Sequence, residues 1–260
     1  MNDQIVAPES ARDRKTKIQV IARAASVLRL LEHEPSGLSL GAIAQRLKLP
    51  RSTVQRIVGA LEAENLLIAA SPAGRVKLGP ALLRLSTSME SSITSIAKPY
   101  MVEIARDLNQ SVDLSMLSRK QSVCIDQAVG AQHPESSPNI GETSPLYCTA
   151  QGKAMLALMS DFEIEQKIGQ HFPPRTEHTL TTLSTLLEDI RDTRASGIAH
   201  EMQEQANGIY AVGVGFNDAL GNRLALSIPM TSSRFEELKS TATERLLTLR
   251  KTLVAELSTK

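Results

Sequence analysis

Five of the six side chains in Arg51-Ser52-Thr53-Val54-Gln55-Arg56 carry a positive charge or a hydrogen-bond donor. That set holds no carboxylate, imidazole or thiol, so it cannot carry out acid–base or nucleophilic chemistry alone. It can meet phosphate oxygens and the acceptor edges of bases. Arg75 and Lys77 repeat the positive charge further along. A second group, Tyr147-Cys148-Thr149-Ala150-Gln151-Gly152-Lys153, follows Pro145 and predicts a helix start. Free amides and the helix dipole at such a start suit a carboxylate. Cys148 has two readings there: a buried thiol, or a redox-sensing or nucleophilic cysteine whose pKa is lowered by the helix end. The chain has no nucleotide-cradling glycine loop, no G-x-S-x-G run and no metal-ligand cluster. An enzyme acting on a small metabolite in the C-terminal part is therefore an alternative without a motif behind it, and neither a cofactor nor a metal is expected.

These groups sit in two chemically different halves. Residues 1–79 carry 12 Lys/Arg against 7 Asp/Glu, whereas the remainder carries 17 against 21. A basic module joined to an acidic one suits a protein that meets polyanion at one end only. The apolar content of 42% supports real cores. Two cysteines outside any framework point to a reducing compartment. A polar N-terminus and the lack of a long apolar run predict a cytoplasmic protein without membrane contact.

The elements that position the donors follow from periodicity. Residues 1–16 are polar and aperiodic, and are read as a disordered arm. Helical spacing runs from Ile18 to about His33 and stops at Pro35 and Gly37. Ser39 is a good N-cap for a second helix to about Leu47. Leu49-Pro50 turns into a third helix, Arg51 to about Glu64, with Asn65 as its stop. Val54, Ile57, Val58 and Leu61 form one buried stripe. Ser52, Gln55, Arg56, Gly59 and Ala63 occupy the opposite side, with donors first and small residues behind. A helix lying in a major groove needs such a face. Apolar stretches at 66–70 and 76–78 around Ser71-Pro72-Ala73-Gly74 predict a hairpin that brings Arg75 and Lys77 to DNA. Ser39, Arg51, Ser52, Thr53, Gln55, Arg56, Arg75 and Lys77 are the candidate DNA-contacting residues. The alternative is a small helical domain with a solvated face, or one used for protein contacts only.

A linker helix follows over 80–93, with Leu82, Leu83 and Leu85 available for chain–chain packing. From 94 onward helices are expected at about 95–108, 149–159, 162–170, 182–195 and 233–257, and strands at about 111–117, 122–128, 209–216 and 223–230. Large residues at 210, 212, 214 and 216 alternate with Ala211, Gly213 and Gly215. Leu224, Leu226 and Ile228 alternate with Ala225 and Ser227, and Val112, Leu114 and Met116 with Ser111, Asp113 and Ser115. Alternation puts the small residues on one sheet face. That face either leaves room for a small molecule or lets a helix pack close.

With these residues in hand, the chain resembles the IclR-type transcriptional regulators over about 18–257. The likeness rests on LPRSTVQRIVGALEAENLL (49–67), the exit Leu78-Gly79-Pro80, the strand pair 108–127, PLYCTAQGKAMLA (145–157), and Gly197 to Gly208 with Glu204 between them. The resemblance implies an α+β chain: a winged helix-turn-helix (17–79), the linker helix (80–93) and a GAF- or profilin-like effector-binding and oligomerisation domain (94–260) with an antiparallel sheet. It implies a repressor or activator that binds a double-stranded DNA operator as a homodimer or homotetramer and senses a small organic effector; the helix-start amides and compact apolar lining make that effector a small organic acid, aromatic carboxylates included. It points to Ala150, Gln151, Glu201, Ile209, Ala211 and Ser227 as effector-binding residues. Met116 and Cys148 are grouped with these. His133, in the Gly130–Gly141 loop, either closes over the site or faces solvent. Two positions depart from the family pattern: Tyr147 stands where His is frequent, and Ala211 where Cys is.

Overall fold

The computed structural model describes residues 11–70, 74–87, 92–131 and 138–258. The chain divides into two compact units, Met1–Met89 and Glu90–Lys260.

In the first unit α1 (Ala11–Glu32) is followed by β1 (Leu38–Ser39), α2 (Leu40–Leu47), α3 (Arg51–Ala63), β2 (Leu67–Ala70), β3 (Arg75–Leu78) and α4 (Ala81–Thr87). The helix α1 begins inside the stretch expected as a disordered arm. Ala11-Arg12-Asp13-Arg14-Lys15-Thr16 contains neither Gly nor Pro, and its Ala, Arg and Lys are good helix formers. Ser39 caps α2, its hydroxyl oxygen accepting from the Ala42 amide at 3.2 Å. Asn65 ends the α3 segment in the left-handed region, at φ 56°. The two-residue β1, absent from the sequence expectations, pairs antiparallel with β3, which pairs with β2 on its other side. Val27, Leu31, Leu38, Ile43, Val54, Ile57, Val58, Leu67 and Val76 form the core beneath these elements.

The second unit is built on a six-stranded antiparallel sheet. Its strands are β4 (Val112–Ser118), β5 (Gln121–Ala128), β6 (Thr143–Pro145), β7 (Ala199–Met202), β8 (Ile209–Asn217) and β9 (Arg223–Thr231), in the order β6-β5-β4-β9-β8-β7. The helices are α5 (Ser92–Leu108), α6 (Ala150–Leu156), α7 (Asp161–Ile168), α8 (Leu183–Ser196) and α9 (Ser232–Ser258). The large residues of β4, β8 and β9 pack with α5 and α9 in one core. Residues of α6, α7 and α8 form a second core, which Ala225 of the sheet joins.

Sequence periodicity missed β6 and β7. The former is three residues long and ends in proline. The latter buries a glutamate, Glu201, where a half-buried strand ordinarily places an apolar side chain.

Candidate nucleic-acid interface and ligand pocket

In α3 the buried side chains are Val54, Ile57 and Val58, while Arg51, Ser52, Gln55, Arg56, Gly59 and Ala63 are exposed and Thr53 is half-buried. The stripe turns inward because burying it removes the apolar residues at i, i+3 and i+4 from water together. The donors are thereby left outside, at the N-terminal end of the helix. Gly59 carries further information: a Cβ built there would meet nothing within 4 Å. Among the described residues nothing requires a glycine at this position, although glycine weakens a helix by about 1 kcal/mol relative to alanine. On β3, Arg75 and Lys77 are exposed on either side of the buried Val76. The Ser39 hydroxyl oxygen is engaged in capping α2, which leaves its proton for another acceptor.

The small-residue face of the second unit divides into two parts. A Cβ on Gly213 would lie 2.9 Å from the Ala150 carbonyl oxygen, and one on Gly215 would lie 2.2 Å from that of Ala154. These two glycines are therefore small because α6 presses onto the sheet. Beyond the helix, Glu201 pairs with Ala211 and Ala211 with Pro229, while Asp113 pairs with Ser227. Side chains of these residues border a cavity of about 20 Å³, closed further by Pro138, Ser144, Thr149, Gln151, Gln205 and Ile209. That volume holds a single water-sized occupant. A larger molecule needs side chains to move. Gln205, half-exposed on the rim, is a ready candidate, because its side chain is held by a 3.2 Å contact from the Cys148 thiol, a weak donor.

Among the residues expected around an effector, Gln151, Glu201, Ile209, Ala211 and Ser227 lie on this cavity. Ala150 lies beside it and donates its amide to Glu201 Oε2 at 3.4 Å. Cys148 is one residue removed, behind Gln205. Met116 lies elsewhere. It packs against the α5–α9 core, because it shares strand parity with Val112 and Leu114 and so points to the opposite face. His133 lies outside the described residues. Asp113 and Gln205 were absent from the expected set. Asp113 could have been found, since a charged residue stands on the small face of an otherwise apolar strand.

Two amides at the helix start expected to cradle an anion are taken by the protein's own groups. Thr149 caps α6 by accepting from the Gly152 amide at 3.2 Å, and Glu201 takes the Ala150 amide. Burial, reinforced by Glu204, pushes the Glu201 carboxyl up to about 8. Burial pushes Asp113 up to about 7, against a 2.6 Å hydrogen bond from Gln127. Cys148 is fully buried, and burial drives its thiol up to about 12. This is the reverse of the lowered pKa that a redox or nucleophilic role needs.

Beneath the rim, the fully buried Lys153 ammonium lies 2.6 Å from Glu204 Oε1 and 3.0 Å from Asp189 Oδ2. Burial works against that charge, but the two carboxylates outweigh it and raise the lysine pKa. The backbone carbonyls of Gln203 and Glu204 each accept a hydroxyl at 2.8 Å, from Thr176 and Thr179. The turn that carries Gln205 is thus tied to α6, α8 and the 176–179 loop.

Folded-state pKa values above the unfolded ones mean that folding favours the protonated carboxyls. The stability contributed by Asp113 and Glu201 is complete below about pH 4 and is lost as pH rises through about 7 and 8. The thermal midpoint of the second unit is therefore expected to fall by several degrees between pH 6 and pH 9. Glu201→Gln flattens that slope and raises the midpoint at pH 9. A slope unchanged by the substitution would contradict the assignment.

Among the described residues, no helix is long and apolar enough to cross a membrane, and no group of three or more His, Cys, Asp or Glu could hold a metal ion.

Comparison with known proteins agrees with this division of labour. The IclR helix-turn-helix domain matches residues 20–68, and the bacterial transcriptional regulator IclR C-terminal family matches residues 86–258. The chain is 40% identical to the HTH-type transcriptional regulator TtgV of Pseudomonas putida over 217 residues, which covers 84% of this chain and 83% of that one. It is 36% identical to the HTH-type transcriptional regulator Rv1719 of Mycobacterium tuberculosis, over 87% of this chain and 88% of that one. An IclR homologue from Microbacterium hydrocarbonoxydans, solved as a complex with 4-hydroxybenzoate, shares the fold with a TM-score of 0.78 at 18% identity, over 93% of this chain and all of that one. These relatives and families are transcriptional regulators, not enzymes. With both of its parts matched, the chain belongs to the IclR family of transcriptional regulators.

Proposed function

We propose that the chain is a cytoplasmic, sequence-specific regulator, repressor or activator, that binds a palindromic operator through α3 and the β2–β3 wing. The observation that carries this reading is the outward face of α3, with Ser52, Gln55 and Arg56 at its start and the bare Gly59 behind them. Arg51, Ser52 and Thr53 are suited to phosphates at the helix N-terminus, and Arg75 and Lys77 to the flanking backbone. One helix reads only a few base pairs, so a dimer on two half-sites is required. Exposed Val20 and Ile21 on α1 and exposed Leu83 and Leu85 on α4 are apolar surface available for that pairing.

The cavity bordered by Gln151, Glu201, Ile209, Ala211 and Ser227 is the effector pocket in this reading. A small organic acid, aromatic carboxylates included, is the ligand class that the amides at the start of α6 suggest. The acidic lining sets a condition on it: the acid must not add an uncompensated negative charge beside Asp113 and Glu201. An effector changes operator affinity only by the difference in its own affinity for the two arrangements of the dimer.

The test is a gel-shift titration of the full chain on DNA from upstream of its own coding region, beside unrelated DNA of equal length and at moderate salt. A clear preference for the upstream fragment is expected. Equal binding to both, or none, would remove the operator reading and leave a helix-turn-helix used for protein contacts.

A further inference from the structure

The pocket has an unusual charge inventory. Two carboxyl groups, Asp113 and Glu201, line it at 1% and 4% exposure, and among the described residues its lining includes no Lys, Arg or His. Asp113 Oδ1 is satisfied by the Gln127 amide. Glu201 is half satisfied: Oε2 accepts from the Ala150 amide, whereas among the described residues Oε1 is buried without a hydrogen bond of good geometry, the Gln205 backbone amide being near enough only to lower the carboxyl's pKa. An orphaned polar oxygen of this kind costs about 1–3 kcal/mol in a folded core. That cost is relieved when a ligand makes the missing hydrogen bond.

Arg175, in the loop before α8, acts on the Cys148 thiol, but among the described residues no cation borders the cavity itself. On the α6 side stand the Cys148 thiol and Lys153. The Lys153 ammonium is already held between Glu204, in the turn after β7, and Asp189 on α8. Asp113 faces the pocket from β4. An ionised ligand would enter as a further negative charge in a desolvated space, where like charges a few ångströms apart repel strongly.

We propose that Glu201 Oε1 is the polar anchor of the pocket and that the ligand it selects is a compact, uncharged organic molecule bearing a hydroxyl, in preference to the corresponding carboxylate. This rests on the effector-pocket reading and puts a neutral hydroxyl in place of the carboxylate suggested by the start of α6. The hydroxyl matches Glu201 in either protonation state, because it can donate to a carboxylate and accept from a carboxylic acid. As Asp113 and Glu201 lose protons, discrimination against anions increases.

The test uses matched probe pairs on the full chain: benzyl alcohol with benzoate, 4-hydroxybenzyl alcohol with 4-hydroxybenzoate, and cyclohexylmethanol with cyclohexanecarboxylate. Dissociation constants are measured by calorimetry and thermal shift at pH 6.5 and 8.5. Ala211→Leu, which fills the cavity, identifies the binding that occurs in the pocket. At pH 8.5 the alcohol of at least one pair is expected to bind at least tenfold more tightly than its carboxylate, with a smaller ratio at pH 6.5. Glu201→Gln is expected to reduce the ratio at pH 8.5 about tenfold. Carboxylates that bind as tightly as their alcohols at pH 8.5, or a ratio indifferent to Glu201→Gln, would overturn the anchor while leaving the pocket in place. If no probe of either kind binds in a way that Ala211→Leu abolishes, the pocket reading itself fails, and the anchor with it.

Discussion

Lys153→Met is expected to destabilise the second unit by about 3–5 kcal/mol, because removing one partner of a buried ion pair leaves its counter-charges unpaired. Here two carboxylates lose one ammonium, at 2.6 Å and 3.0 Å. Methionine nearly preserves the volume, so the loss is electrostatic rather than a cavity effect. Urea unfolding should show a lower midpoint with little change in slope. Adding Glu204→Gln to Lys153→Met should recover part of the loss, since one of the orphaned charges is then gone. A loss below about 1 kcal/mol in the single variant would mean that the ammonium is not the group holding the 203–208 turn.

The second large effect is expected at Gly59. Gly59→Leu adds a good helix former on the solvent side of α3, where a Cβ meets nothing. The isolated chain should therefore be unchanged or more stable, by up to about 1 kcal/mol. Operator affinity should nevertheless fall on the order of a hundredfold, about 2.7 kcal/mol, because the new side chain stands between the helix and the groove. Opposite signs for stability and binding separate this from a folding defect. If Gly59→Leu binds DNA like the parent, the face behind Arg56 does not approach the duplex.

How much of this could be read in the sequence differs by element. The helix α3 was legible in full, since its apolar positions recur at helical spacing and Asn65 marks its end. The small face of the sheet was legible too, but not its division. Alternation puts Ala211, Gly213, Gly215 and Ser227 on one side, and only the approach of α6 separates the residues under the helix from those beside the cavity. Residues from the turn after β7 were harder. Gln205 reaches the pocket through a chain reversal fixed by Lys153 and two threonines far away in sequence. Met116 failed for a simpler reason: its strand parity already put it with Val112 and Leu114. At α6 the sequence shows the free amides of a helix start, but not the glutamate from another strand that accepts from one of them.

Reading of DNA by α3 through Arg56 and its neighbours can be followed by footprinting the full chain on its own upstream DNA, with parent and Arg56→Ala compared at moderate and fixed salt. Two protected half-sites are expected, centred about one helical turn apart or a multiple of it. Arg56→Ala should lose about 1–3 kcal/mol, roughly ten- to a hundredfold in affinity. Protection by Arg56→Ala at the same protein concentration as the parent would contradict that reading.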